Sequence, residues 1–130
     1  MSCFSVPYLV HFDLKARGES LKKAVFHPSA RKTIQGFPYE ARKEIGEAIT
    51  DLQLGMQPTM PVFRTMPSVG SGVGEIRISE RSGAFRVFYY LKLKDAVLIF
   101  HAFQKKTEQT AKREIDIGLK RLKEMINEKV

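Results

Sequence analysis

The chain has 130 residues and a mass of 14.8 kDa, enough for one hydrophobic core and too short to expect two. Its 22 lysines and arginines outnumber 14 aspartates and glutamates, and the resulting charge of +8 favours nucleic acid or another polyanion as partner. The lone cysteine, Cys3, excludes an internal disulfide and a thiolate metal site, fits a reducing cytoplasm, and no run is long enough for a membrane-spanning helix.

Residues 1–20 show no clear period and end in a polar run, so residues 1–22 are expected to form an N-terminal extension and residues 23–130 a single domain. The apolar stretch 3–12 lacks a basic start and contains Pro7, which argues against a signal peptide. Ala24, Val25 and Phe26 make a short strand closed by Pro28, after which Ser29 is the expected cap of a brief helix turning Ala30, Ile34 and Phe37 to the core. A second helix is expected from about Pro38 to Gly55, with Ala41, Ile45, Ala48, Ile49 and Leu52 on one stripe.

Residues 56–74 are rich in proline and glycine and read as a long connection with little regular structure. Its glycine run does not match a phosphate-binding loop, because it lacks the terminal Gly-Lys-Ser/Thr and a strand follows where a helix is required. Residues 75–79 alternate as a strand, Ser82 and Gly83 mark a turn, and residues 84–106 hold two β-rich runs around a polar break at 92–95. Alternation places Arg86 with Phe88 and Tyr90 on one face, a guanidinium in an otherwise apolar sheet, and groups His101 with Val97, Ile99 and Phe103. A last helix, with Thr110 as its expected cap, carries Ala111, Ile115, Leu119, Leu122 and Ile126 on one stripe. The order is that of an α+β domain with helices on one side of an antiparallel sheet.

Four motifs carry a resemblance: Phe26-His27-Pro28-Ser29-Ala30-Arg31, the run from Met66-Pro67-Ser68 through Gly74-Glu75-Ile76-Arg77-Ile78, Ser82-Gly83-Ala84-Phe85-Arg86-Val87, and His101-Ala102-Phe103-Gln104-Lys105-Lys106-Thr107. Over about residues 23–125 the chain resembles the RelE/ParE superfamily of type II toxin–antitoxin systems, and most closely its HigB-like, phage-derived branch. The resemblance implies a four-stranded antiparallel sheet with two N-terminal helices and a C-terminal helix packed on it. It also implies a ribosome-dependent endoribonuclease that cuts mRNA and is held inactive by a cognate antitoxin, expected to be of the helix-turn-helix DNA-binding type. Relatives often begin the last helix with proline and some place a catalytic tyrosine near it; here Ala111 stands there and no tyrosine lies between Thr107 and Glu114, so their acid–base assignment is not carried over.

Metal-free RNA cleavage needs a base for the ribose 2′-hydroxyl, cations for the charge growing on the phosphorane, and a proton for the leaving 5′-oxygen. Arg77 and Arg86 on adjacent strands, with Lys105 and Lys106 at the strand exit, are the expected cationic catalytic groups, and His101 or Lys105 the acid or base. Arg64, Phe103 and Gln104 are the expected RNA contacts. The plain alternatives are that the arginines pair with a carboxylate such as Glu75, that His101 is a satisfied core histidine, and that Phe103 is simply core. His11, His27 and His101 are scattered without ligand spacing, so neither metal nor cofactor is expected. Two other functions fit the same charge: a ParE-like gyrase inhibitor that binds without cutting RNA, and a non-catalytic basic nucleic-acid-binding module.

Overall fold

The computed structural model describes residues 21–106 and 111–129. Residues 1–20 of the expected N-terminal extension, with Cys3 and His11, and the segment from Thr107 to the expected cap Thr110 lie outside the described residues. The elements run β1 (Lys23–Phe26), α1 (Pro28–Gln35), α2 (Tyr39–Gln53), β2 (Phe63–Thr65), β3 (Val73–Glu80), β4 (Gly83–Tyr90), β5 (Ala96–Lys105) and α3 (Lys112–Lys129). None of the described helices is long and apolar enough to cross a membrane.

The α+β class holds, and the sheet is larger than the expected four antiparallel strands. It has five strands in the order β1-β5-β4-β3-β2, with β1 parallel to β5 and the other pairs antiparallel. The additional strand, β2, is three residues long inside the proline- and glycine-rich connection, where it pairs with Gly74 to Ile76 of β3.

The helices do not share one side. Ile34 of α1 and Ala41, Ile45, Ala48, Ile49 and Leu52 of α2 pack on Ile76, Ile78, Phe85, Val87, Tyr89, Val97 and Ile99. Leu122 and Met125 of α3 pack on the opposite face, with Phe88, Leu98, Phe100 and Phe103. Residues on β3, β4 and β5 are apolar on both faces, so two layers are needed to cover them.

Local chemistry sets the helix ends. Pro28 has no N–H to lose and a φ suited to a first turn, so α1 starts two residues earlier than a cap at Ser29 implies, and His27 Nδ1 caps it by accepting the Ser29 N–H at 3.2 Å. Pro38 stands just outside α2 as its cap residue. At the other end Gly55, with φ +79°, donates to Leu52 O while Met56 donates to Asp51 O, a Schellman closure that a left-handed glycine makes possible.

The close seating of α3 depends on Gly118. A Cβ there would lie 2.9 Å from Phe88 Cδ2 and 3.2 Å from Phe100 Cε2. Glycine inside a helix costs about 1 kcal/mol against alanine, whereas forcing a methyl into a packed core costs about 1–3 kcal/mol. Gly118→Ala is therefore expected to be net destabilising by about 1 kcal/mol despite its better helix propensity. Urea unfolding measures this, and a variant at least as stable as the parent would show that α3 is seated more loosely.

Candidate functional site

Register places the expected cations together. Arg77 of β3 lies directly opposite Arg86 of β4, and Arg86 opposite Phe103 of β5; Arg64 of β2 lies opposite Glu75 of β3, and Lys105 opposite Ala84. Directly opposed residues present their side chains to the same face, so Arg64, Arg77, Arg86 and Lys105 come from four strands to one face of the sheet, the face that also carries α3. Arg64 is exposed, Arg77 and Lys105 are half-buried, and Arg86 is buried. Lys106 follows the end of β5, while Gln104 points to the other face and reaches Ser82 O at 3.4 Å, so neither joins the arginines.

The guanidinium of Arg86 is held in part. Its Nη1 donates to Phe85 O at 3.0 Å. Glu75 Oε1 lies 3.9 Å from Nε, an ion pair beyond hydrogen-bond reach, and Nε finds no acceptor among the described residues. Both the catalytic reading of Arg86 and the pairing with Glu75 thus have a physical basis. Burial lowers the Arg86 pKa, Glu75 opposes that shift, and Arg77 and Arg64 add to it. An arginine remains a cation under such pressure at neutral pH.

His101 sits elsewhere on this face. The register between β4 and β5 shifts at Phe88 and Tyr89, which pair with His101 and Ile99 and leave Phe100 as the extra residue of a bulge. That bulge corrects the expected grouping: Val97 and Ile99 face α1 and α2, whereas His101 and Phe103 face α3. His101 is 4% exposed, with Nε2 2.7 Å from Glu114 Oε1 and Nδ1 2.8 Å from Arg121 Nη1. Its ring stacks on Phe103 at 5.4 Å between centroids, and Phe103 meets Phe88 edge-on at 5.6 Å, so Phe103 is a core aromatic.

A cavity of about 320 Å³ opens along the part of β3 beyond its pairing with β2. Arg77, Ile78, Ser79 and Arg86 line it, with Pro61 and Val62 from the preceding connection and Glu44 from α2. Ile78 belongs to the face under α2, and Arg77 and Arg86 to the other, so the cavity wraps the free edge of the sheet. Nothing in the sequence singles out Glu44, because a glutamate beside a buried helical stripe has no distinguishing pattern. Among the described residues no three His, Cys, Asp or Glu side chains gather as metal ligands.

Together these features define a small α+β protein with a basic sheet face and an arginine-lined edge cavity. The chain belongs to the family described as phage-derived protein Gp49-like (DUF891), whose model matches residues 32–123, a span from α1 to α3 that contains the whole arginine cluster. A search of curated proteins found no match.

Proposed function

We propose that the protein is the toxin of a type II toxin–antitoxin system, of the HigB-like branch of the RelE/ParE superfamily, and that it cleaves translated mRNA on the ribosome without a metal. Membership in a phage-derived family and the motif resemblance support the toxin reading. The observation that carries the chemistry is the Arg77–Arg86 pair. Like charges placed directly opposite each other in a sheet are destabilising, and here one of the two is buried, with Arg64 close enough to add to the strain. Glu75 offsets part of this, and an RNA phosphate offers both arginines a charge-assisted acceptor.

In this reading Arg77 and Arg86 stabilise the phosphorane, while Arg64 and Lys105 hold flanking phosphates. Gln104 has no part in the step, and Phe103 and His101 support the face from within. The partner that restrains the toxin is an acidic antitoxin able to cover a surface of net positive charge.

Induction in bacteria without a partner is expected to arrest growth and to produce new transcript ends inside translated reading frames. DNA supercoiling is assayed in the same cells. Growth arrest with altered supercoiling and intact transcripts would replace this reading with gyrase inhibition, and unimpaired growth at confirmed soluble expression would remove the toxin reading altogether.

A further inference from the structure

We propose that Glu44 is the general base of the cleavage reaction, acting in the cavity at the free edge of β3; this rests on the ribonuclease reading above. His101 is not available for proton transfer in this arrangement, because both its ring nitrogens are engaged by α3. Glu75 is 1% exposed and faces Arg86 from within the protein, out of a ribose's reach. Glu44 is the carboxylate that lines the same cavity as Arg77 and Arg86.

The surroundings of Glu44 differ from those of an ordinary helix-surface glutamate. Such residues are commonly steadied by a lysine or arginine three or four positions away. On α2 those positions hold Glu40, Ala41, Glu47 and Ala48, so the helix gives Glu44 no cation there. Its side chain is half-buried and makes no ion pair among the described residues. The nearby positive charge comes from across the cavity, and because the carboxylate and guanidinium groups are not in contact, space remains between them for a ribose and its 3′-phosphate.

The step balances without an added reagent. Glu44 takes the proton of the ribose 2′-hydroxyl, and O2′ attacks the adjacent phosphorus. The P–O2′ bond forms as the P–O5′ bond breaks, with Arg77 and Arg86 sharing the charge on the phosphorane. Water protonates the leaving 5′-oxygen, and the resulting hydroxide takes the proton from Glu44. The products are a 2′,3′-cyclic phosphate and a 5′-hydroxyl.

The test is single-turnover cleavage of a translated mRNA on ribosomes by the full chain, measured across pH. Glu44→Gln keeps the shape and removes the charge, and is expected to slow cleavage by about 10²–10⁴-fold and to abolish the acid limb of the pH–rate profile. Ribosome co-sedimentation should stay within twofold of the parent. Glu44→Asp should retain part of the rate and keep the acid limb, which a purely structural role would not require. A Glu44→Gln rate within threefold of the parent, or a slow variant that keeps the parental acid limb, would overturn the assignment. Absence of cleavage by the parent itself would instead remove the ribonuclease reading, so the two failures are distinguishable.

Discussion

Arg77→Ala is expected to lower single-turnover mRNA cleavage by about 10²–10³-fold, the loss seen when one preorganised donor to a developing oxyanion is removed. Arg77 is half-buried at the cavity, so its truncation leaves the fold intact and reports on chemistry. Arg86→Ala is a less clean probe. It removes a cation from beside buried Glu75, and truncating one partner of a buried pair costs on the order of 3–5 kcal/mol, with the 3.9 Å separation placing this pair at the low end. Arg86→Lys keeps the charge and loses the planar fork, and should therefore fold while cleaving poorly. Lys120→Ala and Lys123→Ala, on the exposed side of α3, are the controls and should weaken binding mildly. Equal, modest losses across Arg77, Lys120 and Lys123 variants would mean that positive charge only docks the protein, leaving a nucleic-acid-binding module.

The elements that formed a pattern along the chain were legible, and those that depend on a distant partner were not. Helix α2 could be read from its apolar stripe, and β3, β4 and β5 from alternation and β-branched content, because each signal lies within a few neighbouring residues. Strand β2 is three residues among prolines and glycines, and exists because β3 offers it a partner. The parallel pairing of β1 with β5 joins Lys23–Phe26 to residues more than seventy positions away, and nothing local announces it. The placement of α3 opposite α1 and α2 follows from both faces of the central strands being apolar, which alternation alone obscures.

The candidate site divides along the same line. Arg86 was visible because a guanidinium in an apolar strand is conspicuous, and Arg77 as a phosphate-suited cation on the neighbouring strand; register then set them directly opposite each other. Phe103 and His101 were visible as residue types, but the bulge at Phe100 moved them to the α3 face and changed what they touch. Along the sequence, Glu114 and Arg121 are two more charges on the dense polar side of the last helix. In the fold they lie seven residues apart on one stripe and grip His101 from both sides.

That grip leads to the second large expected effect, a loss of stability on mild acidification that His101→Phe should abolish. Arginine can only donate, so the Arg121 Nη1–H bond at 2.8 Å requires a lone pair on His101 Nδ1. The proton of the neutral ring then lies on Nε2, which donates to Glu114 Oε1 at 2.7 Å. Burial is the largest influence on His101 and lowers its pKa from the ordinary 6.5; the Glu114 hydrogen bond opposes this, while Arg121 and His27 act with burial. Protonation would place an N–H against the Arg121 donor and break one of the bonds that hold α3 to β5. Because the folded pKa lies below the unfolded one, the unfolded chain binds the proton first. This contribution to stability is full above about pH 6.5 and is lost as pH falls from there through the lowered native value, by about 1.4 kcal/mol for each tenfold difference in proton affinity between the unfolded and folded chain. His27, bonded to Glu124 at 3.0 Å, and every carboxylate are common to both proteins, so the difference between parent and His101→Phe isolates this ring. Urea unfolding at pH values from about 7.5 to about 5 should show the parent losing stability more steeply than the variant. Parallel slopes would show that His101 does not titrate against α3, and a parent that gained stability on acidification would mean that the Glu114 bond outweighs burial and Arg121.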